Sequence, residues 1–213
     1  VPGHSSQIFR DEFGTGALFE AARILQGFRE RLSGQQYLTF NPGVVLGGSE
    51  VKYDTAQGGG TAFGKTNVIA KEAIVSGDLR ALSPEQLAKA RATMQEVVAQ
   101  HLPKTTAELT FDDGYPPMAP TDGNRRVLAA YDSVSRALGF GGVVAVDPSR
   151  AGAADVSFAA PFVPNAIDAL GLAGWDDHSD KETADLRWLP KQTKRAALLI
   201  YRLGSRESNL PKS

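Results

Sequence analysis

The chain has 213 residues, 42% of them hydrophobic and 22% charged, a size that admits one large domain or two small ones. Its 23 lysines and arginines nearly balance 24 aspartates and glutamates, leaving a formal net charge of -1 and no basic stripe, which argues against nucleic acid as a partner. Cysteine is absent and His4, His101 and His178 are the whole supply of imidazole, so disulfides, thiolate ligands and cysteine nucleophiles are excluded. Any metal chemistry would rest on carboxylates and very few histidines. No run approaches the roughly 20 apolar residues of a membrane-spanning helix, so no membrane role is expected. The chain starts at Val1 without a methionine, signal or transit pattern and is expected to continue upstream. The missing cysteines suit a bacterial periplasm and do not exclude a cytoplasm.

Leu18, Ala21, Ala22, Leu25, Phe28 and Leu32 recur at helical spacing and predict a helix over residues 16–33, stopped by Gly34. Residues 37–46 are rich in aromatic and β-branched side chains and predict a strand, with Pro42 marking an edge or a bulge and Gly47-Gly48 closing it. Residues 49–64, with the triplet Gly58-Gly59-Gly60, read as a mobile loop. Residues 67–80 predict one or two strands, Ala73, Val75 and Leu79 on one face and Ser76, Asp78 and Arg80 on the other. Ser83, Pro84 and Gln86 then form a helix-start signature ahead of Leu87, Ala90, Met94, Val97 and Val98. Ala107, Leu109 and Phe111 alternate as a strand.

The order helix, strand, strand, helix, strand becomes a ferredoxin-like β-α-β-β-α-β unit if one strand precedes Val1. Glycine and prolines between Asp113 and Asp122 predict a domain boundary, dividing the chain into residues 1–115 and 116–213. Past it, Val127, Leu128, Tyr131, Val134 and Leu138 make a helix ended by Gly139. Residues 143–146 read as a short buried strand. A final helix from about Pro190 runs through Ala197, Ile200 and Leu203 to Gly204.

Gly59-x-x-x-x-Gly64-Lys65-Thr66 matches the letters of a phosphate-binding loop, with residues 143–147 as a possible acid-tipped strand downstream. The loop also needs a buried strand before it and a helix N-terminus after it. Residues 50–55 are too polar for the first, and the alternation at Asp78 and Arg80 favours strand over helix for the second. His178 sits among Asp176, Asp177, Asp180 and Glu182, and on spacing alone reads as a solvated loop histidine. Asp78 and Arg80 are by default a surface ion pair, although arginine also offers a bidentate fork to a carboxylate.

Five segments in order resemble the zinc-dependent aminoacylase and carboxypeptidase family. They are Gly3-His4-Ser5-Ser6 with Gly16 and an alanine-rich helix; Gly47-Gly48 with Thr66-Asn67-Val68-Ile69; Ser76-Gly77-Asp78-Leu79-Arg80; Arg150 to Asp155; and Leu170-Gly171 with residues 174–182. The resemblance implies an α+β, ferredoxin-like lid or dimerisation domain followed by the C-terminal part of an α/β catalytic domain. It implies a homodimer through the lid, two zinc ions per full-length subunit, and hydrolysis of peptide or N-acyl amino acid bonds. It makes His178 a zinc ligand, lets His4 steady the oxyanion in the partner's active site, and gives substrate contacts to Asn67, Arg80 and the turn at Gly152. The remaining ligands and the general base would lie upstream, leaving zinc absent or incomplete in this chain and the chain inactive alone. Ala153 and Ala154 depart from the family's turn, which carries a glycine or hydroxyl residue there. A nucleotide-binding protein and a non-catalytic dimerisation module are the alternatives.

Overall fold

The computed structural model describes residues 3–205 and divides into two compact units, residues 1–117 and 118–213. The first unit holds helix α1 (Ala17–Leu32), strands β1 (Thr39–Gly48), β2 (Glu50–Asp54), β3 (Gly59–Phe63) and β4 (Glu72–Arg80), and helix α2 (Pro84–Val98). Strands β1 and β4 pair antiparallel from Thr39↔Arg80 to Gly48↔Glu72, with the register shifting between Pro42 and Val44. The bulge therefore falls where a proline cannot donate to the ladder.

Both helices lie on this pair. Phe28 and Leu32 of α1 meet Ala90, Met94, Val97 and Val98 of α2, with Phe40 and Leu79 of the strands packed against them. The α+β plan expected of a lid is the plan observed. Gly27 lets the helices close, because a side chain there would stand 2.7 Å from Val97. Ser83 caps the helix as expected, its Oγ accepting from the Gln86 amide at 3.2 Å, but the reciprocal half of the capping box is displaced by one residue, Gln86 Oε1 accepting from the Leu82 amide at 2.8 Å. An ion pair ties the far ends of the helices. Glu20 is buried, accepts from Arg23 at 2.6 Å and from the Leu102 amide at 2.9 Å, while Arg23 also donates to the Val97 carbonyl at 3.1 Å.

Three expectations are corrected here. Residues 49–64 are not a mobile loop but a hairpin, β2 against β3, with Glu50↔Phe63 and Asp54↔Gly59 as its limits. Its tip is fixed by Asp54 Oδ1, which accepts from the Ala56 and Gln57 amides, and by Gly58 at φ 65°. Gly60 serves close approach rather than mobility, since a Cβ there would meet the Lys52 carbonyl at 2.0 Å. Next, residues 67–71 precede the strand, which begins at Glu72. Lastly, residues 107–111 belong to no strand, although the alternation was read correctly: Ala107, Leu109 and Phe111 pack on the helical core and their neighbours face out.

The second unit holds α3 (Asp122–Ala137), α4 (Val156–Ala159), a two-residue pair β5 (Gly174–Trp175) with β6 (Thr183–Ala184), and α5 (Leu189–Ser205). Thr121 caps α3 by accepting from the Asn124 amide at 3.1 Å, and Gly139 at φ 72° turns the chain away after it. Its core is small: Tyr131, Val134 and Leu199, with partly buried neighbours including Val143 and Leu198. Arg195 is buried beside it, donating to Gln192 Oε1 and the Phe140 carbonyl and facing the rings of Tyr131, Phe140 and Trp188. Residues 143–146 are not the buried strand expected. They form no ladder among the described residues, and Val144 and Val146 are exposed.

Candidate functional site

In the first unit the fold joins two segments more than sixty positions apart in the chain. The Ser5 amide donates to the Asn67 carbonyl at 2.9 Å, the Ile69 amide to the Gly3 carbonyl at 2.9 Å, and His4 is bridged antiparallel to Val68. The segments of two of the sequence-derived site residues, His4 and Asn67, are thereby joined through their backbones, with Val68 as the bridge partner of His4 and both site residues exposed. The hairpin delivers Asn67: the Ser49 amide donates to the Phe63 carbonyl at 2.8 Å, and a turn closed by Val68 N–H to the Lys65 carbonyl at 3.0 Å follows.

His4 is also a helix cap. Its Nδ1 accepts from the Ser6 amide at 3.4 Å and lies 3.1 Å from Ser6 Oγ, while its own amide donates to Gln7 Oε1 at 3.1 Å. An accepting Nδ1 carries no proton, so in the neutral imidazole the proton sits on Nε2. The ring therefore presents a hydrogen-bond donor to whatever approaches it. Ser6 stood in the quoted Gly3-His4-Ser5-Ser6 segment without a role, and Gln7 was not singled out. Their signal was the spacing His4-x-x-Gln7, a capping box with histidine in the serine position.

Arg80 is elsewhere. It lies at the far end of β4 from Glu72, eight positions or about 26 Å along the strand, so one lid does not bring it to His4 and Asn67. Its Nε donates to Asp78 Oδ2 at 2.6 Å, and this hydrogen bond holds the guanidinium above its ordinary pKa. Both side chains are exposed. Nη1 and Nη2 make no hydrogen bond to any described residue, so the carboxylate-matching edge of the fork stays open.

Gly152 and His178 lie in the second unit. Gly152 is in an open turn where an added Cβ would meet nothing within 4 Å. His178 is exposed, at φ 66°, in the loop between β5 and β6, and its amide donates to Glu182 Oε2 at 3.4 Å. Asp177 and Glu182 line a depression of about 480 Å³ with Leu172, Gly174 and Thr183. Among the described residues no three of histidine, aspartate and glutamate stand together as a metal-holding group. A catalytic zinc takes three protein ligands, so the donor set around His178 does not fit the metal by itself.

The phosphate-loop alternative loses its geometry. Gly59 and Gly60 are hairpin positions, and Gly64-Lys65-Thr66 enter a turn and then a strand rather than a helix N-terminus.

The first unit is thus a helical cover on an antiparallel pair, with His4 and Asn67 near one end of it and Arg80 at the other. Residues 1–106 match the peptidase dimerisation domain family. The chain is 29% identical over 146 residues to carboxypeptidase G2 of Pseudomonas sp. (strain RS-16), a match spanning 66% of this chain and 34% of that protein. Two solved structures share the fold across 96% of this chain and 49% of each of theirs. One is a tripeptidase from Staphylococcus aureus (TM-score 0.62, 19% identity); the other is aminopeptidase PepT from Bacillus cereus (TM-score 0.65, 17% identity). The chain thus spans about a third to a half of the length of these relatives.

Proposed function

We propose that this chain is the lid domain and the C-terminal part of the catalytic domain of a zinc-dependent hydrolase of peptide or N-acyl amino acid bonds, acting as a homodimer. The observation that carries the reading is the pairing of residues 3–5 with 67–69, which joins the two segments bearing His4 and Asn67 inside residues that match the peptidase dimerisation family. His4 Nε2–H is the group that meets the oxyanion of a tetrahedral intermediate, a task suited to a preorganised donor. Asn67 holds the substrate beside it, and the open fork of Arg80 binds a substrate carboxylate. The separation of Arg80 from His4 along β4 supports an active site to which two lids contribute. In the second unit Gly152 gives the substrate room at its turn, and His178 is one ligand of a two-zinc centre in the full gene product. The described residues supply too few ligands for that centre, so the chain alone is inactive.

Metal analysis and an assay on N-acyl amino acids and dipeptides test the reading. Residues 1–213 should hold less than one zinc and hydrolyse nothing, while the full gene product should hold two and be active. His178→Ala in that product should lose one zinc and about a hundredfold or more in kcat/KM. Two tightly held zincs in residues 1–213, or activity indifferent to His178→Ala, would sink it.

A further inference from the structure

Asp78 and Arg80 stand two positions apart on β4, so their side chains leave the same face of the strand. Leu79 between them turns the other way and packs on the helical core with Phe40 of β1. That burial fixes the orientation of the strand and puts Asp78 and Arg80 on the side away from the helices, both exposed. Directly across the ladder stand Asn41 and Thr39, which are neutral and exposed. Neither competes for the guanidinium with a charge of its own.

An arginine can take a carboxylate through either of two edges of its guanidinium: side-on through Nε–H and one Nη–H, or end-on through Nη1–H and Nη2–H. Asp78 Oδ2 accepts from Nε at 2.6 Å, so the side-on edge is filled from within the protein. The end-on edge is the one that remains for a ligand. The same contact restrains a long side chain that would otherwise sample many rotamers and lose that freedom when it bound.

We propose that Asp78 is a positioning residue for substrate recognition: it occupies the Nε edge of Arg80 and holds the Nη1/Nη2 fork ready for end-on capture of one substrate carboxylate. Asp78 itself touches no substrate. As a stabilising device the pair has little worth, because an exposed ion pair is screened by water and salt. Its consequence lies in the aim of Arg80 rather than in the stability of the fold. The inference rests on the reading in which Arg80 binds a substrate carboxylate, and on the hydrogen bond to Nε for the part that Asp78 plays.

Steady-state kinetics on the full gene product test it, with N-acetyl dipeptides and their C-terminal carboxamides as paired substrates. On the carboxylates, Asp78→Ala should raise KM roughly five- to tenfold with kcat kept, the cost of ordering one long side chain at the moment of binding. On the carboxamides KM should not differ between that variant and the native enzyme. Asp78→Asn keeps an oxygen for Nε–H and should hold KM on the carboxylates within about threefold of native. Melting temperature should move by no more than about 1 °C in either variant, as the loss of an exposed pair predicts. An unchanged KM for Asp78→Ala on the carboxylates overturns the inference, as does an equal rise on both members of a substrate pair. A rise in KM that comes with a melting shift of several degrees also overturns it, because the pair then serves the fold. Arg80→Ala separates this inference from the reading beneath it. If Arg80→Ala raises KM on the carboxylates and Asp78→Ala does not, the inference alone falls. If Arg80→Ala leaves KM unmoved, or the full product hydrolyses no member of the panel, the carboxylate role of Arg80 fails and the inference goes with it.

Discussion

His4 shows how little of a residue's chemistry is its identity. A lone histidine near a chain start is unremarkable, but a histidine whose Nδ1 caps a turn has its tautomer assigned. In the full gene product His4→Ala is expected to lower kcat by about a hundredfold with both metals retained, the size of effect that loss of one oxyanion donor produces. Ser6→Ala, which loosens the ring without removing it, should cost a few-fold in kcat; equal losses in both variants would remove the tautomer argument. Glu20 is the residue whose effect is on stability. Burial pushes its carboxyl up, but the hydrogen bonds of Arg23, the Leu102 amide and Thr105 together pull it below the ordinary value. A carboxyl with a lowered folded pKa stabilises the fold above its unfolded pKa, near 4.3, and loses that contribution as pH falls through the folded value. Glu20→Gln should cost about 1–3 kcal/mol at neutral pH, since Arg23 is partly exposed and keeps the Val97 carbonyl as a partner. The gap from the native chain should narrow below about pH 4 in urea unfolding curves.

At the scale of elements the hairpin is the instructive case. Neighbouring glycines in it do different work. Gly60 lies against the Lys52 carbonyl and Tyr53 Cα, whereas an added Cβ on Gly59 would meet nothing within 4 Å. Gly60→Ala should destabilise the first unit by about 2 kcal/mol through overpacking, while Gly59→Ala should leave thermal unfolding within about 0.5 kcal/mol of the native chain. The strand pattern was legible in Val51 and Tyr53 alternating with Glu50, Lys52 and Asp54. The glycine triplet masked it, because glycine marks close approach as readily as flexibility.

At the scale of the molecule the open question is what meets the lid. Ala22, Leu25, Gln26 and Arg29 of α1, with Phe40 and Pro42 of β1, line a shallow depression of about 350 Å³. A two-fold contact there would be self-complementary. Residues 1–213 are expected to show a concentration-dependent dimer by light scattering, and Leu25→Asp should shift it to monomer with the far-ultraviolet circular dichroism unchanged. A chain that stays monomeric at high concentration, or a variant that dimerises as well as the native chain, would place the contact elsewhere.

The sequence by itself determined the four long helices of the described residues, because 3.6-residue periodicity, Ser83 and the glycines at 34 and 139 are local signals that need no partner, whereas the cap at Thr121 and the short α4 were not read from it. It also gave the inward alternation of Ala107, Leu109 and Phe111, and at Pro42 offered an edge or a bulge, between which the register shift of β1 against β4 decided. Only the tertiary structure decided which extended segments became strands, since a strand needs a neighbour and the neighbour is distant in the chain. Residues 72–80 found β1 and became β4; residues 107–111 and 143–146 have the right side chains and no ladder. The candidate site divides the same way. The candidates came from five ordered motifs, but the joining of the His4 and Asn67 segments, away from Arg80 at the other end of β4, was fixed by the pairing of residues 3–5 with 67–69. Those are hydrogen bonds between backbones, which carry no side-chain signature.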